Sequence, residues 1–143
     1  MSFEVEVQGL NPLLKALEHW PDIVQPILRD AASAALISLV PFLADYPAPP
    51  EHSTYERTGD LGRLWTIARP EFAPQSSGFE ASIGNNRPGG EFVQGERQAK
   101  VHQGRWPTVE QVVTTHQAEI EAYFEHALQE IVAKINESVG GTQ

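Results

Sequence analysis

The first hydrophobic pattern along the chain has period two. Phe3, Val5 and Val7 alternate with Glu4, Glu6 and Gln8, which predicts a half-buried strand closed by Gly9. Asn11-Pro12 then opens a helix, because Asn caps well and Pro suits the first helical position. Leu13, Leu14 and Leu17 lie on one side of it, and Pro21 interrupts. Asp22 caps a second helix with Pro26 in its first turns. There Ile27, Leu28, Ala31, Ala32, Ala35, Leu36, Leu39, Val40 and Leu43 recur at helical spacing. The pattern predicts an amphipathic helix of about 18 residues, kinked or ended at Pro41. Ile37 falls off the stripe, so it either widens the buried face or meets a partner.

Tyr46-Pro47-Ala48-Pro49-Pro50 cannot continue a helix, so residues 46–59 read as a loop. Leu61, Leu64, Trp65 and Ile67 indicate a strand that stops near Pro70, and Gly78 to Ile83 a second with Phe79, Ala81 and Ile83 inward. Gly84 to Gly90 is rich in turn residues. Glu91 to Gly95 is a short ordered piece of open type, and 96–105 is polar. A long helical period closes the chain through Val109, Val112, Val113, His116, Ile120, Tyr123, Phe124, Ala127, Leu128, Ile131, Val132 and Ile135. Thr108 and Gln111 have capping-box spacing. Thr114-Thr115 lowers helix propensity, which allows a break into a short and a longer helix.

These elements predict a single α+β domain over residues 1–143. A small antiparallel sheet packs with a long helix from the N-terminal half and with a C-terminal helix. The long helix is expected to lay its stripe on the sheet. Mobile loops are expected at 46–59 and 85–105.

Composition supports a core: 41% of the 143 residues are hydrophobic and 20% charged. Cysteine is absent, which removes disulfides, thiolate metal sites and cysteine nucleophiles. The net charge of −9 argues against a nucleic-acid binder. Its distribution is uneven: residues 1–50 carry six acids and two bases, residues 106–143 six acids and one base, and the middle seven of each. The start has neither a basic nor an apolar signal region. The apolar run Ala31 to Leu43 is short and broken by Ser33, Ser38 and Pro41, so no membrane is expected as a partner.

Candidate chemistry is sparse. His19, His52, His102, His116 and His126 form no metal-binding spacing, and His116 reads as a packed or boundary residue. His126 and Glu130 have the spacing of an ordinary surface pair. Glu51-His52, and Glu91 with Glu96 and His102, are the nearest approach to an acid/base or metal cluster, yet they lie in loops without regular spacing. The glycines from Gly84 to Gly95 form no phosphate loop, and Ser76-Ser77 lacks a nucleophile elbow. Trp20, Trp65 and Trp106 read as core anchors. No catalytic, cofactor-binding or metal-ligating residue is therefore expected, no cofactor, and no enzyme activity.

The segment from Asn85 to Arg105 stands out instead. It is glycine-rich, has few apolar residues and carries four of the ten basic side chains. Arg87, Phe92, Arg97, Lys100 and Arg105 are the candidate contacts of an assembly loop that orders against an acidic neighbour.

Four stretches, in order, resemble the tail-completion family of tailed bacteriophages, also described as head–tail joining or neck proteins. They are the alanine-rich helix and Pro-rich loop from Ile27 to Pro50, and Thr58-Gly59-Asp60-Leu61 leading into the sheet. Ala81-Ser82-Ile83-Gly84 followed by Phe92-Val93-Gln94-Gly95 is the third, and the closing acidic helix led by Arg105-Trp106-Pro107 the fourth. The chain departs from the pattern in its N-terminal strand and in having Thr108-Val109 after the proline. The resemblance implies a structural phage or prophage virion protein that joins the tail to the head. It implies a homo-oligomeric ring with tail-tube, terminator and head-connector proteins as further partners. The location would be the host bacterial cytoplasm during assembly, and then the virion. A tail terminator or other minor virion protein, a regulatory binding module, and a hydrolase using Glu51, His52, Glu91, Glu96 and His102 are the competing readings.

Overall fold

The structure, a computed structural model, describes residues 2–4, 11–47, 61, 64–68, 70–72 and 78–140. Helix α1 spans Asn11–His19, α2 Pro21–Ile37 and α3 Val40–Leu43. Strands follow: β2 at Trp65–Ile67, β3 at Glu71–Phe72, β4 at Phe79–Glu80 and β5 at Ser82–Asn85, with β1 at Ser2–Glu4 earlier in the chain. Helix α4 is Glu91–Gln94, a 3-10 turn covers Lys100–His102, α5 is Val109–Thr115 and α6 is Gln117–Gly140. The domain is α+β, with a small antiparallel sheet and long helices.

The break between α1 and α2 falls at Trp20, and Pro21 opens the second helix, where a missing N–H costs no hydrogen bond. The break between α2 and α3 follows from Pro41. Without an N–H it cannot bond the Ile37 carbonyl four residues back. The chain turns through Ser38 and Leu39 instead, where the Ser38 hydroxyl donates to the Ala35 carbonyl at 2.6 Å. Leu28, Ala32, Ala35, Leu36, Leu39 and Leu43 are buried along this run, together with Val24. Ile37 is 58% exposed. By length and composition the stretch Pro21–Leu43 would suffice to cross a bilayer; here its apolar stripe fills the core.

The main partner of α2 is α6, not the sheet. This corrects the expectation that the stripe lies on the strands. The cause is length: α6 has 24 residues, whereas no strand among the described residues exceeds the four of β5. Among the described residues, only another helix offers a matching apolar row. Ile120, Phe124, Ala127 and Ile131 of α6 supply it. Each large side chain so buried stabilises the fold by about 1.5–3 kcal/mol relative to exposure.

The three-stranded sheet has the order β1-β5-β2, antiparallel throughout. Ile83 is fully buried on the central strand and pairs with Phe3 on one side and Ile67 on the other. The predicted strand from Gly78 to Ile83 is divided at Ala81: β4 pairs with β3 in a separate ribbon, with Phe72 opposite Phe79. That ribbon is held to the helices by ring contacts. The Arg29 guanidinium lies over Phe72 at 5.2 Å, and the Phe79 and Phe124 centroids are 5.9 Å apart.

The closing helices follow the predicted break. Thr108 forms a full capping box: its hydroxyl accepts from the Gln111 N–H at 3.1 Å, and the Gln111 side chain accepts from the Thr108 N–H at 2.9 Å. Helix α5 ends at Thr115, and His116 lies between it and α6. The Glu51-His52 pair, Thr58-Gly59-Asp60, Ser76-Ser77, and Val5 and Val7 of the N-terminal strand lie outside the described residues, as does most of the predicted 46–59 loop.

Candidate assembly surface

The segment 85–105, expected as a mobile loop, contains two short helices and is clipped by two glutamines into an arch. It begins in the sheet. Asn85, buried on β5, donates to the Leu61 carbonyl at 2.6 Å, and its side-chain oxygen accepts from the Arg87 N–H at 2.9 Å. Gly89 then turns with φ 79°, a left-handed value that favours glycine. Helix α4 follows directly.

Gln94 is fully buried. Its side-chain amide donates to the Leu43 carbonyl at 2.9 Å and to the Pro107 carbonyl at 3.2 Å. It thereby ties the arch both to the end of α3 and to the lead into α5. Gln98 repeats the device inside the arch, donating to Val93 O at 2.7 Å and Trp106 O at 2.9 Å. The backbone of Ala99 closes onto Phe92 O at 2.7 Å. Gly95 permits the turn between them, because a Cβ there would lie 2.8 Å from the backbone of Glu91. The arch is held chiefly by polar contacts. Its anchors are polar amides that satisfy backbone carbonyls, not apolar side chains.

The five candidate contact residues occupy different parts of the arch. Phe92 is 41% exposed, and the Arg97 guanidinium lies 5.0 Å from its ring centroid. Arg97 also approaches Glu91 at 3.7 Å, a solvent-exposed pair of small energetic weight. Lys100 is exposed on the 3-10 turn beside Val101, which at 67% is the most exposed large hydrophobic among the described residues. Arg87 is half-buried at the foot of the arch. Arg105 is exposed and lines a separate groove with Phe42, Tyr46, Pro107 and His116. The structure thus joins Phe92 to Arg97 and sets Arg105 apart.

That groove is aromatic. Phe42 and His116 stack with centroids 3.9 Å apart, and Tyr46 packs on Trp106 at 4.6 Å. His116 also meets Glu119 at 3.2 Å. It is the boundary residue expected from the sequence. Burial pushes the Tyr46 phenol above its ordinary value of 10.0, and the neighbouring Trp65 indole opposes the shift. Trp65 is buried in the core, whereas Trp20 is 37% exposed and lies outside the core cluster, so it is not the core anchor expected of it.

Another groove, of about 650 Å³, runs between α2 and α6. Ala31, Ala34, Ala122 and Ala127 line it with Ile27 and Tyr123, and Asp30, Glu119 and Glu130 supply the acids. The sequence shows these alanines and acids, but not that two separate stretches face each other across one seam. His126 and Glu130 both lie in this groove. Among the described residues, no three His, Asp or Glu side chains come together in a way that could hold a metal ion.

The described surface includes a polar-anchored cationic arch, an aromatic groove and an acidic groove. No family model matches this chain, and no curated protein or solved structure matches it at a significant level.

Proposed function

We propose that this protein works by assembling with other proteins and catalyses no reaction. Within that class it is a structural virion protein of a tailed phage or prophage, joining the tail to the head. The observation that carries the assembly reading is the arch. It holds an exposed aromatic ring, an exposed valine and the exposed cations Arg97 and Lys100 in a defined shape, with internal hydrogen bonds made by other residues. A fixed backbone presenting apolar and charged side chains suits a docking surface, because little ordering entropy remains to be lost on contact.

The phage assignment rests on the order of the four sequence stretches, two of which include the long alanine-rich helix and the closing acidic helix. The partners it implies are further copies of the chain, tail-tube or terminator proteins and head-connector proteins. The test is the mass of the purified chain, by light scattering during size exclusion, alone and after mixing with connector and tail-tube proteins encoded beside it. A stable co-eluting complex is expected. Absence of any complex with those proteins would overturn the neck assignment.

A further inference from the structure

We propose that the cationic arch of one copy docks in the acidic, alanine-lined groove between α2 and α6 of a second copy. The proposal rests on the assembly reading above but not on the phage assignment.

The two surfaces complement one another in chemistry. The groove carries Asp30, Glu119 and Glu130, and no lysine or arginine lines it. The arch carries Arg97, Lys100 and Arg105 within nine consecutive residues that include no acid, and its two acids, Glu91 and Glu96, precede them. Between the cations stands Val101, 67% exposed. Between the acids lie the methyl groups of Ala31, Ala34, Ala122 and Ala127 and the exposed face of Tyr123. A valine flanked by cations therefore meets an apolar floor flanked by acids. Small side chains on the floor allow close approach of the incoming backbone.

A second copy is the favoured occupant because both halves of the contact occur on one chain. The arch and the groove share no lining residue, so a single copy can use both at once. Such a contact between two different patches is made twice in a two-fold dimer, or is repeated from copy to copy in a closed ring. The net charge of −9 opposes association at long range. Only the local pairing, at separations under the roughly 8–10 Å screening length, favours it. Position, and not total charge, is therefore what a test must probe.

The experiment is sedimentation velocity on the full chain and on three charge-reversed pairs. The arch pair is Arg97→Glu with Lys100→Glu. The groove pair is Glu119→Lys with Glu130→Lys. The control pair is Lys15→Glu with Lys134→Glu, which has the same net charge as the arch pair and lies outside both surfaces. All six side chains are exposed, and thermal melting of each variant checks that folding is retained. The wild type is expected to self-associate, and the arch and groove pairs each to weaken association about tenfold or more, as several exposed ion pairs together would. The control pair is expected to associate within about threefold of wild type. Mixing the arch and groove pairs restores association, because the acidic arch of one variant then faces the basic groove of the other.

A wild type that stays monomeric at millimolar concentration overturns the proposal. So does a control pair as impaired as the arch pair, or a mixture that remains dissociated. A chain that binds connector or tail-tube proteins yet never self-associates overturns this inference alone and leaves the assembly reading standing.

Discussion

The Gln94 side-chain amide donates to the backbone carbonyl of Leu43, 51 positions earlier in the chain, at 2.9 Å. Through this bond the last turn of α3 and the base of the arch become one unit. Replacing Gln94 with Ala or Leu leaves the Leu43 and Pro107 carbonyls without their shared donor in a buried place. The expected loss is about 1–3 kcal/mol, read from urea unfolding. Hydrogen exchange across 91–106 is expected to quicken in the same variant, whereas a change confined to α3 would contradict the role of Gln94 as a two-way tie.

The α2 stripe and its outlier make opposite predictions within ten residues. Leu28 is fully buried in the core, so Leu28→Ala is expected to cost about 2–5 kcal/mol. Ile37 is mostly exposed, so Ile37→Ala is expected to change stability by no more than about 0.5 kcal/mol. Denaturant midpoints of the two variants, measured side by side, check both values.

The capping box offers a third measurement. Thr108→Ala removes the acceptor for the Gln111 N–H at the start of α5, with an expected cost of about 1 kcal/mol. Thr108→Ser keeps the hydroxyl and is expected to stay close to wild type. Equal losses in the two would show that the methyl group, not the cap, matters.

Tyr46 governs an alkaline effect. Burial raises its phenol above 10.0 in the fold, so the folded chain holds this proton more tightly than the unfolded chain does. The associated stability is intact below the ordinary value and is lost as pH rises above it toward the folded value. The wild type is thus expected to lose stability more steeply than Tyr46→Phe above pH 10. Melting temperatures of the pair across pH 8 to 11.5 show this as a difference that shifts against the wild type as pH rises if the phenol is responsible, and as parallel curves if it is not.

Much of the helical framework could be read from the sequence. The stripe from Ile27 to Leu43, the proline break at Pro41, the capping box at Thr108 and the division after Thr114-Thr115 all depend on local chemistry, and local chemistry is what a sequence displays. What an amphipathic stripe faces is not local, so the pairing of α2 with α6 in place of the sheet was hidden. The division at Ala81 was hidden for a similar reason: an unbroken alternation of side chains does not say when a strand changes partners. The shape of the arch was not legible because its anchors, Gln94 and Gln98, belong to a residue type that usually marks the surface. The candidate residues Phe92 and Arg97 proved to be neighbours. The acidic groove needed two distant stretches to be placed side by side before it existed as a surface at all.

The strand order β1-β5-β2 has a kinetic consequence. Phe3 finds its partner Ile83 only after about eighty intervening positions, and Ile67 only after about sixteen. The helices α1, α2, α5 and α6 can each begin from nearby contacts. The edge strand must wait until a long loop has closed, and loop closure grows more costly with length, if slowly. Stopped-flow refolding is therefore expected to place β1 among the last elements to lock. A newly made chain would pass through a stage in which the helices are formed and one edge of β5 is still open to another strand.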